Sequence, residues 1–176
     1  TNPTDGWGFQ GSDWFSTLQT LAVAFQVTGT ASYGNQCIAW MNYIASVGVA
    51  GNLVPISTDS GYPSRFVLLG LAEGYDWCYA LLTPPQKAAI VEAGNFWYDW
   101  AVANAFEKDG PAYGNYWGGH VLGFGAFAFA TSAENSRSGE ITAHWRAQFN
   151  NLVGAAFASG GFAGGGGYSL RRCRGR

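Results

Sequence analysis

Apolar residues recur at helical spacing along most of this chain, and the recurrence predicts six helices. From Ser12 onward, Trp14, Leu18, Leu21, Ala22 and Phe25 fall on one face of a first helix that Gly29 ends, with Ser12 and Asp13 as candidate caps. Thr30 to Val47 follows as a second, with Cys37, Ile38, Met41, Ile44 and Ala45 on one stripe. Tyr62 to Leu82 is the third, opened by Pro63 in the first turn, where proline is tolerated. Thr83-Pro84-Pro85 is a tight break with Thr83 as cap, and the fourth helix runs from Gln86 to Phe106 with Phe96, Trp97 and Trp100. The fifth spans Tyr116 to Thr131. The sixth spans Gly139 to Ala158, with Trp145, Phe149, Leu152 and Val153 on its apolar face. The connecting stretches carry turn chemistry: residues 1–11, the loop Gly48 to Gly61, the turn Lys108-Asp109-Gly110-Pro111, and the glycine run from Ser159 to Gly167. Strand periodicity is not evident.

The third and fifth helices are apolar nearly all round and are expected inside; the fourth and sixth are amphipathic and are expected outside. Inner and outer helices alternating in hairpins define an all-α chain laid out as an incomplete (α/α) toroid of about three hairpins. Residues 1–169 form one domain on this reading, and 170–176 a basic tail. The fifth helix holds Gly118, Gly119, Gly123 and Gly125, each costing about 1 kcal/mol relative to alanine. Close helix packing accounts for that cost; space for a ligand is the alternative.

Composition narrows the ligand class. Of 176 residues only 11% are charged, while 16% are aromatic, including eight Trp and nine Tyr. Flat amphipathic rings of this kind suit sugar faces and protein partners. Four of the nine basic residues lie in the last six positions, which leaves five basic against eleven acidic groups upstream. A body that acidic argues against nucleic acid, which needs a basic stripe. No apolar run approaches the ~20 residues that span a bilayer, so no membrane segment is expected. The chain opens on Thr1-Asn2-Pro3, as a processed or trimmed product would. Cys37, Cys78 and Cys173 are too few and too scattered for a metal motif or a full disulfide set, and read as two buried thiols and a tail thiol. With two distant histidines, no metal or other cofactor is expected.

The stretch Pro111 to Ala130 concentrates the candidate chemistry: Tyr113, Asn115, Tyr116, Trp117 and His120 stand at the mouth of a segment that is otherwise apolar. Asn115 reads as a helix cap or as a ligand-binding amide. His120 reads as a packed structural histidine or as an acid–base group. His144 is expected at the surface. Tyr116 and Trp117 are the best candidates for sugar contact, whereas Trp97, Trp100 and most other aromatic residues belong to the core. Glu73 and Asp76, three apart on one helix face, could serve a glycosidase, or Glu73 could pair with Arg65. No Gly-x-Ser-x-Gly elbow is present, and Gly164 to Gly167 lacks the Lys-Ser/Thr of a phosphate loop.

Several of these stretches resemble the helical toroid domain of heparinase II/III-like and alginate-lyase-like polysaccharide lyases. They are Asp59-Ser60-Gly61-Tyr62-Pro63-Ser64-Arg65, then Leu71 to Tyr79 before Leu82-Thr83, then Asn115-Tyr116-Trp117 opening a glycine/alanine helix, and a glycine-rich segment ending in Tyr168. The chain departs from the family in separating Asn115 from His120, and in reading Ala163-Gly164-Gly165-Gly166 where a Pro-Glu-Gly is usual. The resemblance implies a secreted or periplasmic protein that binds uronate-containing polysaccharide in a groove and cleaves it by β-elimination. Asn115 would then neutralise the uronate carboxylate, and His120 or Tyr168 would move protons. Arg65, Tyr62, Tyr113, Tyr116, Trp117, Glu73 and Asp76 would contact substrate. A glycoside hydrolase using Glu73 and Asp76 is the alternative, and a non-catalytic helical module that self-associates into a homo-oligomer is a third reading.

Overall fold

The computed structural model describes residues 6–49, 54–105 and 115–157. Within them the chain is all-helical, with no strand. Its helices are α1 (Ser12–Thr28), α2 (Ala31–Val49), a short α3 (Val54–Ser57), α4 (Ser64–Trp77), α5 (Pro84–Asn104), α6 (Asn115–Ala130) and α7 (Ser138–Phe157). The six predicted helices are therefore present. The third stops early: α4 ends at Trp77, and a 310 turn at Tyr79–Leu81 carries the chain to the Pro84 break. The predicted loop before it holds α3 and a 310 turn at Thr58–Gly61.

Local chemistry sets the ends. Gly29 adopts a left-handed conformation at φ 67° and returns its N–H to Phe25 O at 2.8 Å, which closes α1. At the start of α5, Gln86 Oε1 accepts from both the Thr83 N–H and the Thr83 hydroxyl at 2.9 Å, with Pro84 at the first helical position. The cap expected from Ser12 and Asp13 is absent. Gly11 is the N-cap of α1, and Asp13 instead donates its backbone N–H to Trp7 O at 2.9 Å.

Side-chain contacts arrange the helices in two layers. Gly11 lies beside Val67, Gln19 beside Glu73 and Gln26 beside Trp77, so α1 and α4 run parallel. Helix α6 packs on the other flank of α4. Helices α2 and α5 pack together behind them, with Trp97 filling the space over Gly48. Helix α7 returns antiparallel to α6, through Ser138 Oγ to Ala128 O (2.7 Å), Trp145 stacked on Phe124 and Phe149 on Trp117. The core between the layers is aromatic: Trp14, Trp97, Tyr75, Phe124 and Phe127 are fully buried. Burying a side chain of that size contributes about 1.5–3 kcal/mol. The buried thiols Cys37 and Cys78 are both free.

Two of the four α6 glycines are demanded by packing. A Cβ on Gly123 would sit 2.2 Å from the Ser64 carbonyl oxygen, and one on Gly119 would sit 2.7 Å from the Tyr62 ring. Gly118 and Gly125 face open space. The groove cut by Gly119 and Gly123 seats the first turn of α4 against α6.

At the opposite end, Glu134 in the turn before α7 gathers Tyr75, Tyr79 and Lys87. Tyr75 donates to it at 2.9 Å, Tyr79 donates to its other oxygen, and Lys87 Nζ lies 3.5 Å away. The Tyr79 hydrogen bond, helped by Tyr75 and Lys87, holds its carboxyl below the ordinary carboxylate range. Nearby, Arg137 forms a bidentate pair with Asp99 (2.8 and 2.7 Å), and Asn95 and Asn135 exchange amide bonds at 3.1 and 3.0 Å.

Two outcomes test these contacts. Gly123→Ala is expected to destabilise the fold by about 1–3 kcal/mol, because its new methyl meets backbone, while Gly125→Ala is expected to stabilise it by up to ~1 kcal/mol; chemical denaturation of both variants checks the contrast. A carboxylate held low contributes stability that is present above its unfolded pKa and lost as pH falls through its folded pKa. Glu134→Gln should therefore flatten the acid limb of the stability–pH curve and leave neutral stability within about 1 kcal/mol of wild type, since the group is exposed. An unchanged acid limb would show that the cluster adds nothing.

Candidate functional site

Because α1, α4 and α6 run the same way, their first turns meet at one end of the molecule, and the site is built from them. A 310 turn at Phe9–Gly11 leads into α1, the Thr58–Gly61 turn leads into α4, and Asn115 opens α6. Tyr62 and Tyr116 rings lie 4.7 Å apart at 33°, and Asn115 Nδ2 donates to the Tyr62 hydroxyl at 3.2 Å. Tyr116 donates its hydroxyl to Asp59 Oδ1 at 2.6 Å. The Arg65 guanidinium lies over the Tyr62 ring (3.8 Å) and the Phe66 ring (4.1 Å) and donates from Nη1 to Gln10 Oε1 at 2.8 Å. Gln10 Nε2 in turn donates to Asp59 Oδ2, which closes a polar ring around the aromatic pair. Among the described residues Arg65 has no carboxylate partner.

The backbone under this ring is held in an uncommon conformation. Gln10 (φ 55°), Asp59 (φ 46°) and Ser60 (φ 54°) are the non-glycine residues with positive φ among the described residues, and all three belong to the ring or its loop. For L-residues each such placement costs of order 1 kcal/mol, and clusters of this kind concentrate at ligand sites. Neither Gln10 nor Asp59 stood among the sequence-predicted site residues. The readable signal for Gln10 is its place between Gly8 and Gly11, both at positive φ, with Gly8 leaving no room for a Cβ against Asp13.

The predicted site residues divide as follows. Arg65, Tyr62, Asn115 and Tyr116 are brought together. Trp117 is only 3% exposed and stacks on Phe149, so it is core rather than a sugar platform. His120 is fully buried behind the site, edge-on to Phe124 and Trp145, and its Nε2 lies where a Cβ on Gly61 would come within 3.0 Å. It adjoins the strained loop from below and does not line the open face. Glu73 and Asp76 lie eight and eleven residues past Arg65, about 12 and 16 Å along the helix axis, and so belong to another place. They border a hollow of ≈ 330 Å³ with Trp77 and Phe129. Glu73 accepts from Gln19 at 3.1 Å, not from Arg65, so the expected Arg65–Glu73 pairing is not formed. Burial pushes the Glu73 carboxyl above the ordinary carboxylate range, against the Gln19 hydrogen bond. His144, expected at the surface, is half-buried with Nδ1 3.1 Å from the Tyr98 hydroxyl. Tyr113 and Tyr168, and with them the basic tail, lie outside the described residues.

One face of α6 and α7 is apolar and open. Phe129 is 63% exposed, and with Leu122 and Phe149 it borders a groove of ≈ 360 Å³. Among the described residues no helix is long and apolar enough to cross a membrane, and no cluster of His, Cys, Asp and Glu could hold a metal ion. No protein-family model matches the chain, and comparison with curated proteins and with solved structures finds no match either.

Proposed function

We propose that this chain is a carbohydrate-active protein of polysaccharide-lyase type, an open arc of an (α/α) toroid that binds uronate-containing polysaccharide where α1, α4 and α6 begin. The observation that carries the reading is the Arg65 guanidinium. It is fixed on two aromatic faces, engaged through Nη1 by a neutral amide, and has no carboxylate partner among the described residues. Such a group matches a sugar carboxylate in charge and fork geometry. Three helix N-termini directed at the same face add positive potential there.

In β-elimination a base removes the C5 proton, its electron pair forms the C4–C5 double bond, the C4–O bond breaks, and the leaving oxygen takes up a proton. Arg65 and Asn115 are assigned to the carboxylate, where they would stabilise the charge that develops as C5 loses its proton. Tyr116, packed beside the Tyr62 ring that Arg65 covers, is assigned to contact the sugar. The proton steps fall to a tyrosine hydroxyl at this mouth or to Tyr168. His120, buried under the loop, supports it from behind.

The test is absorbance of the unsaturated product on alginate, heparan-type chains and other uronate polymers. Activity is expected on at least one, and Arg65→Ala should lower kcat/KM roughly 10- to 100-fold, the value of a charged hydrogen bond. No unsaturated product on any of them would remove the lyase reading. Glu73 favours one alternative, since a carboxyl raised by burial is suited to act as a general acid for glycoside hydrolysis. Reducing ends released without unsaturation, and lost in Glu73→Gln, would establish it.

The open α6–α7 face is assigned to self-association, because exposed apolar patches of this kind favour contact between copies. Light scattering should give more than a monomer mass, and Phe129→Glu should return it to one. A monomer at micromolar concentration would overturn the assignment.

A further inference from the structure

The Arg65 guanidinium and the Asp59 carboxylate belong to one polar ring, yet they do not pair. Gln10 stands between them: its Oε1 accepts from Arg65 Nη1 at 2.8 Å while its Nε2 donates to Asp59 Oδ2. Only one orientation of that amide satisfies both neighbours, oxygen toward the cation and nitrogen toward the anion. The placement is costly. Gln10 sits at φ 55°, ψ 30°, a conformation that glycine adopts freely and glutamine does not, and the glycines on either side of the turn already have positive φ. Asp59, at φ 46°, shares the strain and also accepts from Tyr116 at 2.6 Å.

We propose that Gln10 is a charge spacer and a positioning residue of the carboxylate-binding site. It holds Arg65 and Asp59 apart, so that the guanidinium stays open to an acidic sugar while Asp59 stays bound to Tyr116. The inference rests on the reading of this site as uronate-binding and adds the device that keeps it ready. A direct Arg65–Asp59 pair would fill the bidentate edge of the guanidinium that a sugar carboxylate needs. It would also take Asp59 Oδ2, the oxygen that Gln10 now holds beside the Tyr116 hydroxyl on Oδ1. With the spacer in place, Tyr116 keeps its proton directed at Asp59. Cation, amide and phenol are then presented together without rearrangement on binding.

The experiment uses the full chain with calorimetric titration of mannuronate, guluronate and galacturonate tetramers, beside a neutral glucan tetramer. Wild type should bind at least one uronate tetramer and not the glucan. Gln10→Ala should weaken that binding roughly 10- to 100-fold, and Gln10→Ala with Asp59→Asn should recover most of it, because the competing charge is gone. Binding by Gln10→Ala equal to wild type, or a double variant as weak as the single one, would overturn the spacer. Gln10→Gly separates stability from binding: it should melt higher than wild type and still bind poorly. Should wild type bind no uronate, the functional reading falls, and the spacer is decided by crystal structures. In Gln10→Ala, Arg65 should then contact Asp59 within about 4 Å, whereas a guanidinium still seated on Tyr62 and Phe66 would refute the proposal.

Discussion

The site depends on how closely α6 approaches the first turn of α4. Gly123 lets the Ser64 carbonyl come to within 2.2 Å of where a side chain would begin, and Gly119 admits the Tyr62 ring in the same way. Spaced four apart, the two glycines lie on one face of α6 and form a continuous groove. In that groove Tyr62 stacks beside Tyr116, Arg65 lies over Tyr62, and Asn115 reaches the Tyr62 hydroxyl. A larger residue at either position would move α4 outward and separate these groups together. The helix propensity given up at the two positions, about 2 kcal/mol in sum, is small beside the aromatic surface the contact buries.

The second constraint is the strained pair of turns. Loops usually escape positive φ at ordinary residues by using glycine, and this chain does so at Gly6, Gly8, Gly11, Gly29 and Gly61. Gln10, Asp59 and Ser60 are the exceptions among the described residues, and Gln10 and Asp59 are joined by a hydrogen bond. Packing beneath supports the geometry: Gly61 is pressed between His120 and Trp100, and Gly11 against Val67. The loop is thus over-determined from below, which is the condition under which strain of this kind persists. His120 has its clearest role here, as part of the floor on which the Asp59 loop rests.

Much of the scaffold was legible in the sequence because apolar periodicity and capping chemistry are local signals. Gly29, Thr83 and the Pro84-Pro85 pair mark helix ends close to where they occur, and the all-helical class follows. Asn115 and Tyr116 were legible as a polar cluster at a helix mouth. What was not legible depends on distance in space. Gln10 and Asp59 lie 49 residues apart, and nothing in either segment indicates that they meet. Trp117 carries the same apolar and aromatic context whether it faces a groove or Phe149, so its burial could not be read from spacing. The Arg65–Glu73 pairing was plausible from helix phase alone, but the turn before α1 supplies Gln10 to Arg65 and α1 itself supplies Gln19 to Glu73, so each takes one of the two partners.

Net charge and local charge point in opposite directions in this molecule, and their ranges decide which governs binding. The body upstream of the tail carries more than twice as many acidic as basic groups, a field that repels a polyanion at long range. At physiological ionic strength that field is screened over about 8 Å. The Arg65–Gln10–Asp59 ring works at hydrogen-bond distance, well inside that screening length. Acidic surface charge therefore slows the approach of a polyuronate and makes association rise with salt. It does not cancel recognition once the carboxylate reaches the guanidinium. For the same reason a nucleic acid gains little here: one guanidinium can take one phosphate, while the remaining phosphates along the strand would meet an acidic body with no basic stripe to receive them.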